Sequence, residues 1–366
     1  MSSPAIVVSQ SGQPTHGLVD IIGAQVGRPV STHVTDRPED AEYYLSPATV
    51  TELANRYLGG DDGPTLVVDG LLHPGQAVDL GSRLESTRIL DRRGAVWEWL
   101  GEANPVAAAR ASLRQSRIAR RDAATAQRTE STSGPTGEDG RHAELERQCQ
   151  SLHAELDRRG AAARDRVRTQ YGQVDGNVVL VGRVAAERSQ LWGELTGEAV
   201  SQEPGRPAQP ATAAATVGPH ELAVTDTPGV PGTDGLPEWL TEVVPGLLAA
   251  LAEADCVLVV GPHRGPLRDA ITDRFDADCR AVGTATADAA RAALGAVFET
   301  VELALELPYT DAAHALVSAL HDEGVVHEVA YEQAIYVRVE VSRSAVEEFE
   351  RRVSDADGRL TTVEAG

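Results

Sequence analysis

The sequence predicts an α/β protein built from four consecutive parts, and three observations carry that expectation. Between Ala5 and Arg92, short apolar runs alternate with helical patterns. From Pro105 to about Tyr171 the periodicity is helical throughout, and beyond Asn177 apolar strands and amphipathic helices alternate again before a compact α+β tail. A chain of 366 residues has room for two or three domains, each with its own core. The expected divisions are an N-terminal parallel α/β domain over 1–104, a helical hairpin over 105–171, a second α/β domain over 172–299 and a small α+β domain over 300–366.

Taken in order, AIVV (Ala5 to Val8), PVSTHV (Pro29 to Val34), TLVVDG (Thr65 to Gly70) and TRILDR (Thr87 to Arg92) read as strands. THGLVDIIGAQVG, SPATVTELANRYLG and HPGQAVDLGSRL read as helices between them, the second with Ser46 as cap and Pro47 at its first position. That rhythm calls for a mostly parallel sheet. The hairpin is broken once, at TESTSGPTGEDG, by a run of Ser, Gly and Pro. Within the third part, Ser201 to Gly218 (SQEPGRPAQPATAAATVG) reads as a low-complexity, mobile interruption. The tail reads strand (VELALELP), helix (TDAAHALVSALHDEG), two strands (VVHEVAYE, AIYVRVEV) and helix (SAVEEFERRV).

Composition narrows the function classes. There is no lysine, so all 33 basic residues are arginine against 55 acids, giving a formal charge of −22 and a pI near 4.8. Such a surface repels a phosphate backbone on average and argues against a general nucleic-acid coat. With few aromatics, it fits a chain solvated for a high-salt cytoplasm. Cys149, Cys256 and Cys279 form no C-x-x-C pair and are expected as buried free thiols. No stretch has the 18–20 or so apolar residues of a membrane span and no secretory leader is evident, so a soluble, cytoplasmic protein without a membrane partner is expected.

The stretch NVVLVGRVAAERSQLWGELTG, Asn177 to Gly197, has the layout of a P-loop strand, turn and helix, and makes the third part a P-loop-NTPase-like G domain. A phosphate cradle needs G-x-x-x-x-G-K-[ST], because glycines turn backbone N–H groups toward phosphate and a lysine reaches the outer oxygens. Here Gly182 holds the first glycine position, Glu187 replaces the second, Arg188 replaces the lysine and Ser189 keeps the hydroxyl. Glu187 adds a Cβ and a carboxylate at an anion site, and a planar guanidinium does not fill the place of an ammonium. Downstream, LAVTDTPG (Leu222 to Gly229) ends a strand in D-T-P-G, with Asp226 at the metal position and Gly229 at the γ-phosphate position. An N-K-x-D strand that would read guanine is missing. The stretch from Gly261 to Leu294 reads as too short for the usual extra strand and helix. If the site is retained, nucleotide contacts fall to Gly182, Arg188, Ser189, Asp226 and Gly229, with Ser189 and Asp226 holding Mg²⁺ for GTP. No catalytic residue is assigned.

On these motifs the chain resembles the HflX-type family of ribosome-associated GTPases. TLVVDGLLHPGQAVDLGSRLESTRILDRRGAVWEWLGEANP is similar to the end of that family's N-terminal domain, through Asp69, His73, Pro74, Gln76, Leu90, Asp91 and Arg92. SGPTGEDGRHAELERQ resembles a shortened form of its glycine-rich hinge, through Gly134, Pro135, Gly137 and Glu138, and the tail resembles its C-terminal domain. The resemblance implies a GTPase fold, binding to the large ribosomal subunit and its RNA, and splitting of ribosomes under stress. The departures at Glu187 and Arg188 and the missing N-K-x-D lead to an expectation of impaired GTP binding and hydrolysis, with an active GTPase as a possible further partner. The alternatives are an active GTP-binding protein with an atypical P-loop and a non-catalytic protein–protein scaffold.

Positive charge gathers in the first long helix. Arg110, Arg114, Arg117 and Arg121 follow i, i+4, i+7, i+11 spacing on one face, beside Arg120 and Arg128. That stripe suits contact with RNA phosphates, or equally pairing with Glu144, Glu146, Glu155 and Asp157 of the second helix. His314, His321 and His327 complete no metal pattern, and Trp97, Trp99 and Trp239 read as core or domain contacts.

Overall fold

The structure is a computed structural model that describes residues 4–10, 12–57, 64–84, 87–130, 138–170, 174–184, 187–262, 264–283 and 286–363. The glycine-rich hinge residues Gly134, Pro135 and Gly137 lie outside them.

The N-terminal unit runs β1 (Ala5–Ser9), α1 (Leu18–Val26), β2 (Ser31–Val34), α2 (Pro47–Tyr57), β3 (Thr65–Val68), α3 (Pro74–Arg83), β4 (Arg88–Asp91) and α4 (Arg92–Gly101). Its sheet has the order β2-β1-β3-β4, parallel at every pairing, as the alternation in the sequence requires. Asp69, one of the residues carrying the family resemblance, ties this unit together. Its carboxylate accepts from the Arg92 Nε at 2.7 Å and from the Thr15 backbone and hydroxyl at 2.7 and 2.8 Å. The helical hairpin follows as α5 (Pro105–Glu130) and α6 (Glu138–Gln170). Asn104 caps α5, its Oδ1 accepting from the Val106 N–H at 2.9 Å.

The third unit contains β5 (Gly176–Gly182), α7 (Glu187–Thr196), β6 (Ala211–Val217), β7 (His220–Asp226), α8 (Glu238–Thr241), α9 (Pro245–Ala252), β8 (Cys256–Val260), α10 (Arg264–Thr272), β9 (Asp278–Val282) and α11 (Ala287–Gly295). Its five strands lie in the order β6-β7-β5-β8-β9, parallel except for β6. β5 and β8 are unbroken apolar runs because both faces are covered by helices. The strand order reverses at β5, which opens a crevice beyond the carboxyl ends of β5, β7 and β8.

Two expectations for this unit are corrected. The segment read as a mobile interruption is half strand: Ala211–Val217 pairs antiparallel with β7, the small Ala and Thr side chains suiting an edge strand. The stretch after β8, read as too short for a further strand and helix, holds α10, β9 and α11. It runs AVGTAT at the end of β9 rather than N-K-x-D, so the departure lies in residue identity and not in length.

The C-terminal unit is β10 (Thr300–Leu307), α12 (Asp311–Glu323), β11 (Val325–Tyr331), β12 (Ile335–Ser342), α13 (Val346–Asp355) and β13 (Arg359–Val363). The antiparallel order β11-β12-β10-β13 with two crossing helices is a ferredoxin-like split βαβ arrangement. The final strand was not read from the sequence.

Cores are not wholly separate, contrary to the sequence expectation. The C-terminal unit has its own cluster, and so does the outer face of the N-terminal sheet. The inner face does not. Leu18, Ile21 and Ile22 of α1 and Trp99 and Leu100 of α4 share one cluster with Val181, Val184, Val230 and Leu240 of the third unit. The N-terminal unit is therefore packed over the crevice. Among the described residues, no helix is long and apolar enough to cross a membrane.

Candidate functional site

The crevice at the ends of β5 and β7 is where the sequence placed a nucleotide, and it is filled by the protein's own groups. Arg188, on the first turn of α7, turns inward and is 2 % exposed. Its Nε donates to the Asp226 Oδ1 at 2.5 Å, and one Nη donates to the Ser189 Oγ at 3.0 Å and to the Arg206 carbonyl at 2.5 Å. The Ser189 hydroxyl itself donates to that same carbonyl at 3.2 Å. Asp226 also accepts from the Thr227 N–H at 2.9 Å. Asp226 and Ser189 are as buried as the arginine.

The arginine thus answers the aspartate from inside. A guanidinium on Asp226 supplies the positive charge that a divalent ion would bring, and Ser189 spends its proton on a backbone oxygen. The pair expected to hold Mg²⁺ does not present a cation site in this arrangement. Among the described residues, no group of three His, Cys, Asp or Glu side chains is placed to hold a metal.

The two glycines also have structural work. A Cβ on Gly182 would lie 2.9 Å from the Val260 carbonyl, so this residue permits close approach of β5 to the end of β8. A Cβ on Gly229 would lie 2.8 Å from the Val184 Cα and 3.2 Å from the Gly205 Cα, so three backbones meet there. The Gly229 N–H, expected at a γ-phosphate, donates to the Gly205 carbonyl at 3.3 Å. Glu187 opens α7, where its charge suits the positive helix end; it therefore occupies a helical position and not a glycine-like one. Ala185 and Ala186 lie outside the described residues.

Residues 203–208 form a cover that the sequence reading missed. Gly205 N–H donates to the Val184 carbonyl at 3.4 Å, and the Arg206 guanidinium reaches Glu203 at 3.0 Å and Glu102 at 2.8 Å while lying 4.3 Å from the Trp99 ring centroid. Trp99 Nε1 donates to the Pro204 carbonyl at 2.8 Å, and Asn104 Nδ2 donates to the Ala208 and Val243 carbonyls at 2.8 and 3.0 Å. The N-terminal unit closes over the rest: Gly17, with φ +78°, leaves room for Val184, whose side chain would be 2.4 Å from any Cβ there. Beside it, Arg183 is buried with one Nη donating to the Thr233 carbonyl at 2.7 Å. Burial lowers its pKa, partly offset by Asp234. Asn before Pro at 104–105 was the one legible hint of this cover, as a helix cap.

The arginine stripe of α5 divides between neighbours. Arg110 pairs with Glu242 at 3.2 Å, and Arg114 is buried with Nε 3.1 Å from Asp91. Arg117 donates to the His153 Nε2 at 2.8 Å while His153 Nδ1 donates to the Cys149 carbonyl at 2.6 Å. Arg120 pairs with Glu146 at 3.4 Å. Arg117 and Arg121 are exposed. Of the second-helix acids considered as partners for this stripe, Glu146 meets Arg120; Arg110 and Arg114 face the third and N-terminal units. Asp91 was not foreseen as a partner, although its place before an R-R-G turn is a cap signal: its Oδ1 accepts from the Gly94 N–H at 2.7 Å.

No protein-family model matches the chain, and no curated protein matches it. Among solved structures it is similar to the complex of SsGBP with GDP, at 15% identity over 71% of each chain and a TM-score of 0.39. It is also similar to a GTP-binding protein from the hyperthermophilic archaeon Sulfolobus solfataricus in complex with GDP, at 12% identity over 77% of this chain and 93% of that one, again with a TM-score of 0.39. The laminin-binding protein Lbp of Streptococcus pyogenes follows at 10% identity, 78% and 91% coverage, and a TM-score of 0.20. At these values the likenesses carry no functional argument, and the site is read from its own geometry.

Proposed function

We propose that this protein is an HflX-like, non-hydrolysing member of the GTPase architecture that associates with the large ribosomal subunit through its RNA. In this reading the G-like unit is a fixed scaffold. The observation that carries it is the buried Arg188–Asp226 pair, because an internal cation holds the carboxylate that GTP-bound Mg²⁺ would need. RNA contact falls to the exposed end of the arginine stripe, Arg117 and Arg121 with Arg120, a cluster of positive charge in a chain of net −22.

The test has two arms, both in molar KCl. GTP turnover in saturating Mg²⁺ is expected to equal that of a Ser189→Ala, Asp226→Ala control; turnover above the control refutes the scaffold reading. The chain is expected to co-sediment with large ribosomal subunits. Replacing Arg117 and Arg121 by Gln should weaken that association and lower its salt slope by about one per lost phosphate contact. Equal co-sedimentation of the variant and the parent chain refutes the RNA contact.

A further inference from the structure

A cavity of about 320 Å³ opens between the start of α3, helix α4 and helix α5, and it is lined by four arginines: Arg93, Arg110, Arg114 and Arg117. Arg114 is more than nine-tenths buried. Only its Nε is spent, on Asp91, and both Nη groups are buried without a hydrogen-bond partner among the described residues. The Arg110 Nε is likewise buried and unpartnered. Buried guanidinium donors left open cost free energy unless something accepts from them, and an oxyanion accepts from several at once.

Charge and shape point the same way. The acids facing these arginines are Asp91, which holds Arg93 and Arg114 from behind, and Glu242, which pairs with Arg110; four positive charges against two leave a surplus matching a dianion. His73 and Pro74 bring the first turn of α3, the positive end of a ten-residue helix, to the same cavity. Trp97 fixes the frame, with the Arg93 and Arg110 guanidinium carbons each 5.9 Å from its ring centroid and its Nε1 donating to the Trp239 carbonyl at 2.9 Å. Leu72, Leu113 and Ile118 supply an apolar wall. The volume lies at the small end of ligand cavities and exceeds what a bare phosphate fills.

We infer that this cavity is a receptor for a phosphomonoester dianion, either inorganic phosphate or the phosphate end of a small sugar-sized molecule, gripped by Arg110 and Arg114. The inference goes beyond the ribosome reading, since it concerns a small ligand and a cavity rather than an RNA surface, and it stands whether or not the chain meets ribosomes.

The test is calorimetric titration of the full chain with orthophosphate and with ribose 5-phosphate, at constant molar ionic strength set by KCl. Saturable binding of either probe is expected, and ribose 5-phosphate binding more tightly than orthophosphate identifies the larger ligand. Arg110→Gln, only partly buried and therefore the safer variant to fold, should weaken binding by about tenfold or more. Arg114→Gln should abolish it, with folding checked by circular dichroism. Arg110 lies outside the RNA-contacting end of the stripe, so co-sedimentation of Arg110→Gln with ribosomes is expected to be unchanged, and the two readings fail separately. Absence of saturable binding of both probes overturns the inference. So does equal affinity in Arg110→Gln, and so does binding of an RNA oligonucleotide with neither small probe bound, which would assign the cavity to a polynucleotide.

Discussion

Replacing Arg188 by Met removes the charge while keeping much of the side-chain volume, and so tests whether the crevice is closed by an ion pair. In the parent chain the guanidinium gives Asp226 a 2.5 Å partner and also donates to Ser189 and to the Arg206 carbonyl. After the change, Asp226 is a buried carboxylate with the Thr227 N–H as its remaining hydrogen bond. Removing one partner of a buried pair costs about 3–5 kcal/mol, most of it the penalty of the charge left behind. Asp226→Asn leaves the opposite charge and should cost a similar amount. The double variant Arg188→Met, Asp226→Asn strands neither charge, so its cost should fall short of the sum of the singles by about 2 kcal/mol or more. The assay is urea denaturation in molar KCl followed by tryptophan fluorescence, with m checked for constancy. Trp192, whose Nε1 donates to the Val224 carbonyl two residues before Asp226, reports from beside the pair. A single-variant cost below about 1 kcal/mol, or additivity within about 0.5 kcal/mol, would refute the closed-crevice reasoning.

Gly17→Ala should destabilise by about 1–3 kcal/mol and raise the rate of limited proteolysis between the N-terminal and G-like units, because φ is +78° and the new Cβ meets Val184; an unchanged digestion rate would contradict it. Asn104→Ala strips a donor from the Ala208 and Val243 carbonyls and should lower the urea midpoint by the equivalent of about 1–3 kcal/mol. Burial holds the Cys256 thiol up at about 12 against an ordinary 9.0. Its contribution to stability is whole below the unfolded value and is lost as pH rises from about 9 toward about 12, so Cys256→Val should flatten the fall of the urea midpoint over that range. Glu187→Gly with Arg188→Lys restores the P-loop residues, yet a fluorescent GTP analogue should still fail to bind, because Gly205 and Arg206 backbone groups remain across the crevice.

How much of this was legible in the sequence depends on whether the signal was local. β5 and β8 announced themselves as apolar runs, and Asp91 and Asn104 sat where helix caps sit. The positions of Gly182 and Asp226 at the ends of β5 and β7, and of Arg188 and Ser189 on the helix that follows β5, also followed from strand and turn order. Their partners did not, because Arg206 lies 18 residues from Arg188 in a stretch rich in Pro, Ala and Gln whose composition looks like linker. Its order comes from Trp99 and Asn104, about a hundred residues away, and long-range hydrogen bonds leave no periodicity to read. The arginine stripe was visible as spacing, but which arginine is buried depends on how α5 rolls against α3 and α4. The final strand β13 escaped notice for another reason: RLTTV is short and half polar, and becomes a strand by pairing with β10.

Where a buried polar group lacks a partner says something about where ligands belong. At the nucleotide-like crevice nearly every expected contact has been replaced from within: Asp226 by Arg188, Ser189 by the Arg206 carbonyl, Gly229 by the Gly205 carbonyl. One Nη each on Arg188 and Arg206 stays unpartnered. At the arginine cavity the balance is reversed, with both Nη groups of Arg114 and the Nε of Arg110 unpartnered beside a space that Trp97 and the start of α3 hold open. Helix α4 joins the two places, presenting Trp99 to the cover and Trp97, two residues earlier and so on the opposite face, to the cavity. What differs is the space beside them: the Arg188 and Arg206 groups sit in a packed crevice, whereas those of Arg114 and Arg110 border an open cavity on the other side of a ten-residue helix, which favours anion recognition at α5 while the crevice holds the N-terminal and third units together.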